Sequence, residues 1–338
     1  MSRGRAGPSA HRISIPTPLP VGRVNCWLLA GEPLTLIDAG PNHPDSLAAL
    51  EAGLHEHGVR VEDVELLVLT HQHVDHVGNA SAIVERSGCR VAAHEQLVGY
   101  ARELRRRYEL ESAYQDAVMA LHGTPLERRL RFWTAIADRA AYWNDSVEVD
   151  IALVEDDTLV AGGRTLRVSH RPGHSPTDTI FVDDELGVAY VADHLLPHVS
   201  SNPLAARPPR GSDDPRDRVS SVRAYLSSLE RTARDDLAEL RPGHGRVIDD
   251  HRALIALRRQ GHLERMEQVA TALGDGPMSA RAIGDAIWPG IAITQTYLTL
   301  CEALGGLDLL EERGRVRQVE TDGVVRYERV PARSTRAG

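Results

Sequence analysis

The stretch VELLVLTHQHVDH, residues 64–76, decides how this chain is read. Its first half is a nearly continuous apolar run of strand length, the mark of a strand covered on both faces. It stops abruptly in four metal-ligating side chains, His71, His73, Asp75 and His76, within six residues. A turn at that point projects side chains into one pocket at the carboxyl edge of an open α/β sheet, where such sheets place their sites. Alternate positions 71 and 73 can converge on one metal while 75 and 76 reach a second. Imidazole and carboxylate both suit zinc.

Working outward, residues 23–38 read as two strands joined at 31–33. Asp45 is placed to cap a helix running to about His57, with Leu47, Leu50 and Leu54 on one face. A helix over 80–86 and a strand over 90–93 follow, then a long arginine-studded helical stretch over 97–146. Strand patterns return at 151–154, 165–170, 179–182 and 187–191. Residues 200–218 hold four prolines and a glycine and read as a loop. A helix over 219–233 then leads to ArgProGlyHisGly at 241–245. Beyond 251 the order is helix, short helix, helix and a hairpin around Asp322-Gly323, a winged-helix-like sequence of elements.

Three further metal-ligating side chains stand at strand or loop ends: His174 in ArgProGlyHisSer, Asp193 in TyrValAlaAspHis, and His244 in ArgProGlyHisGly. With these, and with Asp38 in IleAspAlaGly, the chain resembles the metallo-β-lactamase superfamily of hydrolases, including glyoxalase II. The ligand motifs match in order from Asp38 to His244. The resemblance implies an α/β fold, a four-layer αβ/βα sandwich over 14–250, with 97–146 as a helical insertion or cap. It implies that His71, His73 and His174 hold one metal, that Asp75, His76 and His244 hold the other, and that Asp193 bridges both. Asp38 would support a ligand histidine from behind. The implied cofactor is two Zn2+, with Fe or Mn as alternatives.

Two such ions lower the pKa of a bridging water enough to leave hydroxide at neutral pH, and Asp75 is placed to orient it as the catalytic carboxylate. The expected reaction is hydrolysis of an ester-like bond in a small acyl substrate, with thioesters ahead of lactones. His73 separates the chain from the flavodiiron branch, which carries glutamate there. Mononuclear-iron persulfide dioxygenases share the histidine pattern, so that redox reading stays open beside an endoribonuclease or phosphodiesterase.

Composition narrows the chemistry further. All 39 basic residues are arginine, which excludes a lysine Schiff base, a pyridoxal anchor and a P-loop lysine. It also removes the lysine contacts of glutathione-binding relatives. A net charge of −9 does not suit a general polyanion binder, and three cysteines are too few for a disulfide framework or a thiolate site. No run of about 18 apolar residues exists to span a bilayer. Residues 1–13 read as an untargeted, disordered tail and 333–338 as another, giving a cytoplasmic expectation with no membrane partner.

Seven of the fourteen aromatic residues, Tyr100, Tyr108, Tyr114, Phe132, Trp133, Tyr142 and Trp143, fall in the insertion. They suit either an acyl-binding cap or the insertion's own core or dimer interface. The arginines at 105–107 and at 128, 129 and 131 read either as contacts to a phosphorylated carrier or as a solvated face partnered by Glu103, Glu109, Glu111 and Glu127. From 251 to 338, twelve arginines face eleven acids, and residues 294–304 contain no basic side chain. The winged-helix-like unit, 251–332, is therefore expected to serve structure or homo-oligomer assembly and not nucleic-acid reading.

Overall fold

The alternation expected of buried strands is seen directly in Val24–Ala30, where Trp27 and Leu29 face one side and Cys26 and Leu28 the other. The structure is a computed structural model that describes residues 9–138 and 146–331. Tyr142 and Trp143 lie outside the described residues.

The first sheet runs in chain order: β1 (Ser9–Ile15), β2 (Val24–Ala30), β3 (Thr35–Ile37), β4 (Leu66–Leu69), β5 (Arg90–His94) and β6 (Ile151–Leu153). β1 to β3 are antiparallel, and β3 to β6 are parallel. Residues 9–13, assigned to the amino-terminal tail on sequence, instead belong to β1, with Ser9 opposite Ala30 and Ile13 opposite Cys26. The alternation in SerAlaHisArgIle is too polar to announce a strand alone. Its partner β2 supplies the hydrogen bonds that hold it.

The second sheet has the order β11-β10-β9-β8-β7, from β7 (Thr158–Ala161), β8 (Arg164–His170), β9 (Thr179–Asp183), β10 (Val188–Ala192) and β11 (Glu239–Pro242). β11 lies parallel to β10, so both strands end at the same edge. Between the sheets pack Trp27, Leu29, Ile37 and Val68 from one side and Leu166, Val168, Phe181 and Tyr190 from the other.

Helices cover the outer faces. Leu50 and Leu54 of α1 (Pro44–Glu56) and Ile83 lie over Leu28, Leu36, Leu67 and Leu69. The four residues of β4 are all buried, as a strand covered on both faces requires. α1 is capped by His43, whose side chain accepts from the Asp45 amide, so Asp45 sits in the first turn and not at the cap. α2 (Val74–Val77) and α3 (Ala80–Ser87) follow β4.

The insertion forms α4 (Glu95–Ala101), α5 (Leu104–Leu121) and α6 (Leu126–Ala135). α7 (Ser221–Arg234) covers the outer face of the second sheet through Tyr225 and Leu229, completing the helix, sheet, sheet, helix order.

The chain continues as α8 (His251–Ala272), β12 (Met278–Ser279), α9 (Ala280–Ile287), α10 (Thr296–Glu312), β13 (Val316–Thr321) and β14 (Val324–Arg329). The three strands form a small antiparallel sheet in the order β12-β14-β13.

Tyr114, Val118 and Phe132 of the insertion share one core with Met266, Val269, Leu300 and Leu304 of the carboxyl-terminal unit. These aromatics are spent on joining the two units. Arg105, Arg106 and Arg131 are exposed, as a solvated face requires, while the other three arginines find partners other than the glutamates expected. Arg128 pairs with Asp285, Arg129 with Asp116, and the Arg107 guanidinium lies over the Tyr100 ring. Among the described residues, no helix is long and apolar enough to cross a membrane.

Candidate metal centre

β4 delivers Thr70 to the sheet edge, and His71 to His73 continue from it into α2, whose amino-terminal position His73 occupies. His174 sits on the turn after β8, Asp193 directly after β10, and His244 directly after β11. All seven side chains named on sequence meet at this edge, in three overlapping groups: His71, His73 and His174; His71, His76 and Asp193; Asp75, His76 and His244. Within each group the ligand atoms lie within 4.8 Å of one another.

In the first group, Nδ1 of His73 stands 3.1 Å from Nε2 of His71 and 2.9 Å from Nε2 of His174. On the other side of the centre, Nε2 of His244 lies 3.3 Å from Oδ2 of Asp75, and Nε2 of His76 lies 3.3 Å from Oδ1 of Asp193. Asp193 spans the two: its Oδ2 is 3.6 Å from Nε2 of His174, and its Oδ1 is 3.5 Å from Nε2 of His244.

The outward nitrogens of four rings are each held. Nδ1 of His71 meets the Thr70 hydroxyl at 3.1 Å, and Nδ1 of His76 meets Asp38 Oδ2 at 2.7 Å. Nδ1 of His174 meets the Asn202 carbonyl at 3.2 Å, and Nδ1 of His244 meets the Arg23 carbonyl at 2.8 Å. A ring that donates outward to an acceptor turns its inner nitrogen toward the centre, where it can take up a cation, whether a proton or a metal ion. The inner Nε2 atoms of His76 and His244 and Oδ1 of Asp193 are buried and make no hydrogen bond. Buried polar atoms left without partners are costly, and lone pairs facing one another are relieved by a shared cation. The residues therefore fit a pair of metal ions.

Charge agrees with geometry. Burial, aided by His76 and His73, keeps His71 well below its ordinary value, and burial with His174 brings His73 to about 3, so both rings are neutral. Burial opposes charge on His76 as well, but Asp193, Asp38 and Asp75 together hold it well above the ordinary value. Burial likewise works against Asp75, yet His76 and His244 bring its carboxyl to about 2. The carboxylate-rich half thus attracts positive charge.

Two glycines make the approach geometrically feasible. A Cβ on Gly243 would stand 2.4 Å from Oδ1 of Asp193 and 2.7 Å from Cε1 of His76. On Gly173 it would stand 2.5 Å from the Tyr225 Cα. Each precedes a histidine of the cluster, which accounts for the repeated ProGlyHis.

Asp38 stands where the sequence puts it and does more than expected, since it also accepts from the Thr70 amide at 3.0 Å and from the Thr70 hydroxyl. His194 turns away from the centre, with Nε2 on the Thr232 hydroxyl at 2.9 Å. The carbonyls of Arg23 and Asn202 are not legible on sequence, because every residue offers one.

The family model of the Metallo-beta-lactamase superfamily matches residues 19–244. The chain belongs to the metallo-beta-lactamase superfamily.

Among its relatives, Probable metallo-hydrolase YqjP of Bacillus subtilis (strain 168) is 29% identical over 302 residues, 88% of this chain and 91% of that protein. Atrochrysone carboxyl ACP thioesterase AacuM of Aspergillus aculeatus is 24% identical over 165 residues, 47% of either protein. The crystal structure of metallo-beta-lactamase family protein TTHA1429 from Thermus thermophilus superposes with a TM-score of 0.80 at 27% identity, covering 95% of this chain and 98% of that one. A Beta-lactamase domain protein from Burkholderia ambifaria gives 0.81 at 25% identity, covering 97% and 94%.

Proposed function

We propose that the protein is a hydrolase that uses two divalent metal ions, zinc foremost, to cleave an ester-like bond, with acyl thioesters ahead of lactones. Asp193 carries this reading, because its two oxygens face different ligand groups, as a carboxylate shared between two ions would. When bound, such a pair supplies a Lewis acid and a water acidic enough to attack at neutral pH.

The chain's own residues hold and orient. Asp38, Thr70, Asn202 and Arg23 fix the rings of His76, His71, His174 and His244, so no ring needs to reorganise as charge develops. Asp75 is buried and ionised beside His244, where it accepts a hydrogen bond from the attacking water and sets its direction. The three cysteines are buried, and burial pushes their thiols up, so none serves as nucleophile.

The thioester preference rests on the ligand motifs and on the similarity of about half the chain to the Aspergillus aculeatus thioesterase. A metal-loaded preparation tested on acyl thioesters, lactones, a phosphodiester and glutathione persulfide decides among the classes. Metal-dependent thioester hydrolysis is the expected result. Turnover of the persulfide alone, with iron, would overturn it.

A further inference from the structure

The segment between Asp193 and α7 has little regular structure, yet part of it is pinned from two sides. Residues 202–207 form a strap whose first carbonyl, on Asn202, faces Nδ1 of the ligand histidine His174 at 3.2 Å. Three residues on, both backbone groups of buried Ala205 are tied to α10 of the carboxyl-terminal unit. Its carbonyl accepts from the Tyr297 hydroxyl, and its amide donates to Sγ of Cys301 at 3.4 Å. The Leu204 carbonyl accepts from the Ser221 hydroxyl at 2.5 Å. At the far end, Arg207 donates its amide to Glu111 and accepts from the Tyr100 hydroxyl at 3.1 Å, both in the insertion.

A buried backbone outside a helix or sheet must find such partners, and here they come from elements that supply none of the seven ligands. Between Asn202 and Ala205 stands Pro203, which fixes its own φ and restricts Asn202 to extended backbone. The direction of the Asn202 carbonyl thus follows from where Ala205 is held.

We infer that the carboxyl-terminal unit sets the orientation of His174 through this strap, which makes Tyr297 a positioning residue for the His71, His73 and His174 group. The inference rests on the reading of His174 as a metal ligand. Tyr297 and Cys301 are each 4% exposed, so their role is held inside the shared core and needs no added partner.

The test is competitive chelator titration of Zn2+ into the full-length chain, with the Co2+ visible spectrum as a second readout. In Tyr297→Phe the first-group site should lose roughly tenfold in zinc affinity, the range seen when an outer partner of a ligand histidine is removed, while the site of Asp75, His76 and His244 keeps its affinity. The cobalt bands of the first site should shift. Ser221→Ala, which frees the neighbouring carbonyl with less risk to the core, should act in the same direction more weakly. Tyr327→Phe removes a buried hydroxyl from the same core without touching any of the bonds that hold the strap, and should bind as wild type does.

His174→Ala separates the two ideas. If it loses no metal, the ligand assignment fails and the inference falls with it. If it loses one equivalent while Tyr297→Phe and Ser221→Ala both bind zinc at both sites as wild type does, the inference alone is overturned.

Discussion

Oδ2 of Asp38 lies 2.7 Å from Nδ1 of His76, both side chains are buried, and Asp38 holds a left-handed backbone with φ 63°. Aspartate tolerates that region better than most residues, and the twist aims its carboxylate at the histidine and at Thr70 together. Asp38→Ala should therefore cost about 10- to 100-fold in metal affinity at the His76 site. It should also destabilise the metal-free protein by about 1 to 3 kcal/mol, because the buried Thr70 amide loses its acceptor. Chelator competition and denaturant unfolding measure the two; wild-type values in both would show that the contact is idle.

Asp75→Ala should lower turnover by a larger factor than it raises KM. In the proposed reaction it removes the group that orients the attacking water, and a loss of about 3 to 4 kcal/mol corresponds to roughly 10²- to 10³-fold. Steady-state kinetics on a responsive thioester give the comparison. Near-normal kcat would remove Asp75 from the reaction.

The pattern of legibility follows from how local each signal is. The apolar run of β4 and the histidines behind it are contiguous, so the strand, its burial and the site at its end can be read together. His174 and Asp193 are readable because each follows a strand pattern, and His244 because it stands in a second ArgProGlyHis like that of His174. By contrast, the meeting of Tyr114 and Phe132 with Leu300 and Leu304 joins residues more than 150 positions apart, and no local pattern says which apolar faces meet. β1 escapes a local reading for a related reason, since its stability lies in pairing with β2 and not in its own composition.

Burial pushes the Glu111 carboxyl up to about 7, against the Arg207 amide, Gln115 and the Arg207 guanidinium. A folded value above the ordinary 4.5 means the folded state binds this proton more tightly. The glutamate's contribution to stability is then most favourable below 4.5 and is lost as pH rises to about 7. Glu111→Gln keeps an acceptor for Arg207 and has no such dependence. Relative to the variant, the wild type should lose on the order of 1 to 3 kcal/mol between about pH 4.5 and 7.5. Urea unfolding across that interval checks this, and a constant difference would contradict it.

Tyr297, Leu300 and Leu304 of α10 are buried against the rest of the unit, and no arginine lies within the helix. A helix packed in this way has no basic face to offer a groove. Fluorescence anisotropy of the full-length chain with duplex DNA and RNA should show no salt-sensitive binding at about 150 mM salt. Deletion of 251–338 should strip the core shared with Tyr114, Val118 and Phe132 and leave an insoluble chain, read from the soluble fraction. Micromolar binding by the intact protein would return the nuclease reading to the front.

The two carboxylate oxygens of Asp193 face different histidines, His174 and His244, and metal counting tests the proposed bridge most directly. Protein purified without chelator, analysed by elemental mass spectrometry before and after zinc titration, should hold close to two equivalents per chain. Asp193→Ala should lose metal and activity together, since without the bridge two cations face one another with less negative charge between them. A reproducible single iron in the wild type, with no second metal taken up on titration, would contradict the binuclear site.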